Sequence, residues 1–68
     1  MTKADAQNAV ERALRGLGLT KPLTENEMTV FCEEMSQQLE FESVDREQDI
    51  RAWAARWQLL RYRSIGSG

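Results

Sequence analysis

Apolar residues recur along most of this chain at intervals of three and four, the spacing that places side chains on one face of an α-helix. The pattern predicts an all-α fold, a small three-helix bundle with a long C-terminal helix. The predicted helices cover approximately 3–16, 25–40 and 45–64, and a frayed tail follows at 65–68. We expect residues 1–64 to form one domain, because a chain of 68 residues is barely long enough for one self-supporting hydrophobic core.

The predicted helix ends follow from local signals. Thr24 and Glu27 are spaced as a capping box, in which each side chain accepts a hydrogen bond from the backbone amide of the other residue. Thr2 and Asp5 repeat this spacing at the start of the first helix. The segment Arg15-Gly16-Leu17-Gly18 predicts the end of that helix, because glycine readily adopts the left-handed conformation that closes a helix.

The first two helices each carry one apolar stripe that we expect to be buried. The first stripe is Ala6, Ala9, Val10, Ala13, Leu14 and Leu17. The second stripe is Met28, Phe31, Cys32, Met35 and Leu39. Polar and charged residues occupy the opposite faces, as expected for helices that pack on one side only.

The third helix differs, because apolar residues lie on two opposite sides of it. The first seam is Ile50, Trp53, Trp57 and Leu60, and we expect it to be buried in the bundle. The second seam is Ala52, Ala55, Leu59 and Tyr62. A surface helix of a monomeric bundle should present polar groups outward, so the second seam calls for a second neighbour.

Three interpretations of the second seam remain open. The helix could lie in a groove between the other two, so that both seams are internal. Alternatively, the alanines are present only as good helix formers, and a few exposed apolar side chains are ordinary. The functional interpretation is a docking face for another protein or a second copy of the chain. Its residues are Ala52, Ala55, Arg56, Leu59, Tyr62 and Arg63.

Charge is segregated along the chain, although the net charge is only −2. Residues 23–50 hold nine acids and one base, whereas residues 51–68 hold four arginines and no acid. The arginines suggest an alternative function, a nucleic-acid-binding regulator of transcription or replication. Its contacts would be Arg51, Arg56, Arg61 and Arg63. Three features count against it: these arginines are distributed around the helix, the domain is acidic overall, and no clear helix-turn-helix turn precedes the last helix.

No residue pattern indicates catalysis, a metal or a cofactor. The chain has no histidine, and its single cysteine, Cys32, lies on a predicted buried stripe, so it is interpreted as a packing residue. We therefore expect no enzyme activity, no cofactor and no small-molecule substrate. No apolar stretch is long enough to cross a membrane, and we expect a cytoplasmic protein.

Together these features predict a small protein–protein interaction module, an adaptor, inhibitor or regulator of a larger protein. Homodimerisation through the C-terminal helix is one way in which it could act. Nucleic-acid binding is the less favoured alternative. The short Met-initiated chain is consistent with a small bacterial or phage accessory protein.

Overall fold

The residues that the structure describes form three helices, as the sequence predicts. The computed structural model describes the backbone of residues 1–66 and the side chains of residues 1–62. Helix α1 covers Lys3–Gly16, α2 covers Glu25–Gln38 and α3 covers Arg46–Gly66, with no strand among the residues described. The prediction of an all-α three-helix fold is confirmed.

The helix ends differ slightly from the prediction. Helix α2 stops at Gln38, two residues early, because Leu39 adopts an extended backbone and its side chain enters the core. Helix α3 continues through Gly66, so the first half of the predicted tail is helical. The rest of that tail, Ser67 and Gly68, lies outside the described residues.

Both predicted capping boxes form. Thr2 Oγ1 accepts a hydrogen bond from the Asp5 amide at 3.1 Å, and Thr24 Oγ1 accepts one from the Glu27 amide at 3.2 Å. The reciprocal bonds are also present, and the Thr24 amide donates to Glu27 Oε1 at 3.0 Å. Hydrogen bonds from the Thr24 backbone and side chain hold the pKa of Glu27 below its usual value. The starts of α1 and α2 are therefore determined by local hydrogen bonds.

Four side-chain contacts define the helix directions. Helix α1 runs parallel to α3: Lys3 forms an ion pair of 3.6 Å with Asp49 near the start of α3, and the Tyr62 hydroxyl donates to the Leu19 carbonyl just beyond the end of α1. Helix α2 runs antiparallel to both. Its start meets α3 where the Leu23 amide donates to Gln58 Oε1, and the Arg51 guanidinium donates to Thr29 Oγ1 one turn further along α2. Helix α3 packs against both other helices and is the central element of the bundle.

The core lies on the side of α3 that faces α1 and α2. Its fully or almost fully buried members are Ala6, Val10, Leu14, Met28, Cys32, Met35, Leu39, Phe41, Ile50 and Ala54. Most residues of the two predicted stripes are buried or half-buried, as expected. The prediction that Leu17 is buried is wrong, because this residue is 52% exposed. Leu17 is the C-cap of α1, so the chain turns away there before the stripe can continue.

Two glycines at the end of α1 differ in backbone conformation, so we expect their substitution by alanine to change stability in opposite directions. Gly18 has a φ of +61°, which strains any residue with a Cβ, so Gly18→Ala should lower the free energy of unfolding by about 1–2 kcal/mol. Gly16 ends the helix without a positive φ, and a Cβ there would meet no atom within 4 Å. Gly16→Ala should therefore raise the free energy of unfolding by about 0.4–1 kcal/mol. Urea denaturation of both variants checks the pair, and equal effects would contradict the assignment of the helix end.

Candidate protein-interaction site

The buried side of α3 is rotated relative to the predicted first seam. Ile50, Ala54 and Gln58 form the buried line, and Trp53 and Trp57 lie half-buried beside it. Leu60, predicted to be buried, is 57% exposed, which corrects the sequence interpretation. The small Ala54 side chain permits close approach of the neighbouring helices, whereas the indoles are too bulky for that line and pack along its edge.

Gln58 is a core residue that the sequence analysis missed, because a glutamine is not expected to be buried. Its side chain is only 8% exposed, and its Oε1 accepts a 2.7 Å hydrogen bond from the Leu23 amide. Leu23 precedes the N-cap of α2, so this bond ties the start of α2 to the middle of α3. The helical spacing of Gln58 four residues after Ala54 was the available signal.

The opposite side of α3 carries an exposed apolar row, called here the outer row, formed by Ala52, Ala55 and Leu59. All three are exposed, and Leu59 retains 63% of its accessible surface. Because each residue turns a helix by about 100°, these positions lie roughly opposite the buried line. Helices α1 and α2 both pack on the inner side, so the interpretation that both seams are internal does not hold for Leu59.

The remaining predicted members of the docking face lie in different surroundings. Arg56 is exposed beside the outer row. Tyr62 is half-buried, and its hydroxyl donates to the Leu19 carbonyl at 3.3 Å, so it serves as a contact within the bundle. The side chain of Arg63 lies outside the described residues.

The arginines named for nucleic-acid contact do not share one surface. Arg51 donates to Thr29 Oγ1 at 3.1 Å and so faces α2, whereas Arg56 and Arg61 lie on the α1 side. The side chain of Arg63 is not among those described. Arg51 therefore lies apart from the other two, as the sequence predicts, whereas Arg56 and Arg61 line one groove.

That groove, called here the Arg–Trp groove, runs between α1 and α3 with a volume of about 510 Å³. It is lined by Gln7, Glu11, Arg15, Trp53, Arg56, Trp57, Leu60 and Arg61. Sequence reasoning did not connect Arg15 with the arginines of α3. The α1 residues of the groove are four apart, and the α3 residues are three and four apart, so each set marks one face of its helix. The sequence does not show that these two faces meet, because this depends on α1 and α3 running parallel.

A second apolar surface lies at the end of α1 against α2. Leu17 and Val30 are each 52% exposed, and half-buried Leu23 and Phe31 lie beneath them. Val30 was not singled out in the sequence, because it lies beside the stripe of α2. This surface shows that apolar exposure is not restricted to α3.

Potential metal ligands and the cysteine thiol are placed as follows among the described residues. No group of three histidine, cysteine, aspartate or glutamate residues among them could hold a metal ion. Cys32 is 1% exposed, and burial raises the pKa of its thiol. Among the residues described, no helix combines the length and apolar character required to cross a membrane.

Comparisons with known proteins return no relative. No protein-family model, no curated protein and no solved structure matches this chain.

Proposed function

We propose that this protein is a small non-enzymatic interaction module that binds a larger protein as an adaptor, inhibitor or regulator. The observation that supports the proposal most strongly is the outer row of α3. Leu59, which is 63% exposed, projects from the bundle beside two exposed alanines, and the exposed Arg56 borders them. Exposed apolar surface next to arginine is typical of protein-binding sites.

The side-chain sizes in the outer row suit the approach of an apolar partner surface. Ala52 and Ala55 allow a partner backbone to come close to α3, while Leu59 supplies an anchor that a pocket could enclose. The guanidinium of Arg56 borders the row and would pair with a carboxylate at the edge of the interface. The matching partner surface is apolar with acidic residues at its rim.

Charge favours a different protein over a second copy as the occupant. A two-fold axis through the middle of the outer row would bring Arg56 of both copies together, because Arg56 follows Ala55 at the centre of the row. Like charges that meet in a partly dehydrated interface are unfavourable. Homodimerisation, which the sequence left open, is therefore the weaker form of the proposal.

The apparent mass of the protein in two settings tests this function. Purified protein should elute at the mass of one chain, 7.8 kDa, at every concentration. A tagged copy in an extract of its source cells should elute at a much larger mass, because it is bound to its partner. Elution of the purified protein as a dimer, or elution at one-chain mass in the extract, would contradict the proposal.

A further inference from the structure

The Arg–Trp groove holds an excess of positive charge within an acidic protein. Arg15, Arg56 and Arg61 line it, and Glu11 is the one acid among its lining residues. The Gln7 amide donates to Glu11 at 3.2 Å, so this carboxylate already has a hydrogen-bond partner. Since the whole chain has a net charge of −2, the groove would attract an acidic ligand that other surfaces repel.

The three guanidiniums have no carboxylate partner among the described side chains. Among the described side chains, the one ion pair joins Lys3 and Asp49, and it lies at the opposite end of α1 from Arg15. An arginine can bind a carboxylate through two parallel hydrogen bonds, which makes it well suited to acidic side chains. The groove therefore presents three unused sites for carboxylates.

The floor of the groove is apolar and leads toward the outer row. Half-buried Trp53 and Trp57 form the floor with exposed Leu60. Leu60 adjoins Leu59 in sequence, and Arg56 borders both surfaces. From Gln7 to Arg15 the groove follows α1 for about 12 Å, roughly two helical turns at about 1.5 Å per residue.

The contacts that the two indoles already make favour a peptide over nucleic acid as the ligand. Single-stranded nucleic acid binds by stacking bases on open aromatic rings. Here the Arg61 guanidinium lies 5.2 Å from the centre of the Trp57 ring, and Trp53 packs against Phe41 with ring centres 5.4 Å apart. Each indole therefore already has one ring or guanidinium contact that competes with base stacking, while its groove-lining atoms remain available to an aliphatic side chain. Phosphates would in addition leave the exposed Leu60 unused.

From these contacts we infer that the Arg–Trp groove receives an acidic amphipathic helix from the partner protein. Its leucine-like side chains lie on the two indoles and Leu60, and its glutamates or aspartates pair with Arg15, Arg56 and Arg61. This inference rests on the proposed function, because it identifies the partner chemistry for a surface that adjoins the outer row.

Binding of two designed peptides tests the inference. One is a short amphipathic helix with leucine on one face and glutamate on the other, and the second replaces every glutamate with lysine. Both tryptophans of the chain line the groove, so tryptophan emission reports occupancy directly. The glutamate peptide should change the emission and bind at least about tenfold more tightly than the lysine peptide, a difference of about 1.4 kcal/mol.

Substitutions in the groove and outside it locate the binding. The double variant Arg15→Gln/Arg61→Gln should weaken binding of a dye-labelled glutamate peptide at least about tenfold by fluorescence anisotropy, again about 1.4 kcal/mol. Arg12→Gln/Lys21→Gln is the matched control, because it also removes two positive charges, at exposed positions that do not line the groove. Circular dichroism of each variant verifies that the helices remain folded.

The inference is overturned if the glutamate peptide does not bind, and also by any of three other outcomes. The two peptides could bind equally, the Arg12→Gln/Lys21→Gln control could weaken binding as much as the groove double variant, or a single-stranded oligothymidylate could bind more tightly than the glutamate peptide. If the glutamate peptide fails while the protein still elutes at large mass in cell extract, only the groove inference fails and the proposed function stands.

Discussion

Ile50→Ala is expected to lower the free energy of unfolding by about 2–5 kcal/mol, enough to leave much of the protein unfolded at room temperature. Ile50 is fully buried on the line of α3 that faces both neighbouring helices. Truncating a large buried side chain loses its transfer free energy and leaves a cavity that the surrounding core fills only partly. A domain of this size seldom has more than about 3–5 kcal/mol of total stability.

Val44→Ala is the control for this prediction. Val44 lies in the link before α3 and is fully exposed, so its truncation should change the free energy of unfolding by less than about 0.5 kcal/mol. Urea denaturation followed by circular dichroism measures both variants. A loss below about 1 kcal/mol for Ile50→Ala would show that α3 does not form the centre of the bundle.

The helix count and the helix starts could be predicted from sequence because they depend on local chemistry. The Thr24 and Glu27 capping box needs only residues three apart, and both of its bonds form. The left-handed glycine expected at the end of α1 is likewise present, at Gly18. Signals of this kind act over one helical turn and do not depend on the packing of the other helices.

The orientation of α3 was predicted less well, because it depends on size as well as polarity. Hydrophobicity placed both tryptophans and Leu60 at the centre of the buried seam. The structure instead places Ala54 and Gln58 on that line and leaves Leu60 largely exposed. A glutamine is buried there because the free amide of Leu23 supplies a hydrogen-bond donor, and no periodicity rule anticipates that pairing.

The candidate site was predictable in one part and hidden in another. The outer row follows from helical spacing alone, and Leu59 is exposed as the docking interpretation requires. Tyr62 has the same spacing, but its hydroxyl donates a hydrogen bond to the loop carbonyl of Leu19, so its side chain packs on the bundle. The Arg–Trp groove joins residues of two helices far apart in sequence, so it becomes visible only when α1 and α3 are seen to run in parallel.

Leu59→Glu is expected to abolish partner binding without unfolding the protein. Leu59 is 63% exposed and is not part of the core, so the change should alter the free energy of unfolding by less than about 0.5 kcal/mol. A carboxylate in place of the apolar anchor would be buried against an apolar, acid-rimmed partner surface, at a cost of several kcal/mol. Leu59 does not line the Arg–Trp groove, so the variant tests the outer row by itself.

Gln37→Glu is the matched control, because it adds the same negative charge at an exposed position on α2. The decisive measurement is the elution mass of tagged wild-type, Leu59→Glu and Gln37→Glu proteins in an extract of the source cells. Wild type and Gln37→Glu should elute together at the mass of the complex, and Leu59→Glu should elute at the mass of one chain. Equal elution of all three proteins would contradict the claim that the outer row of α3 holds the partner.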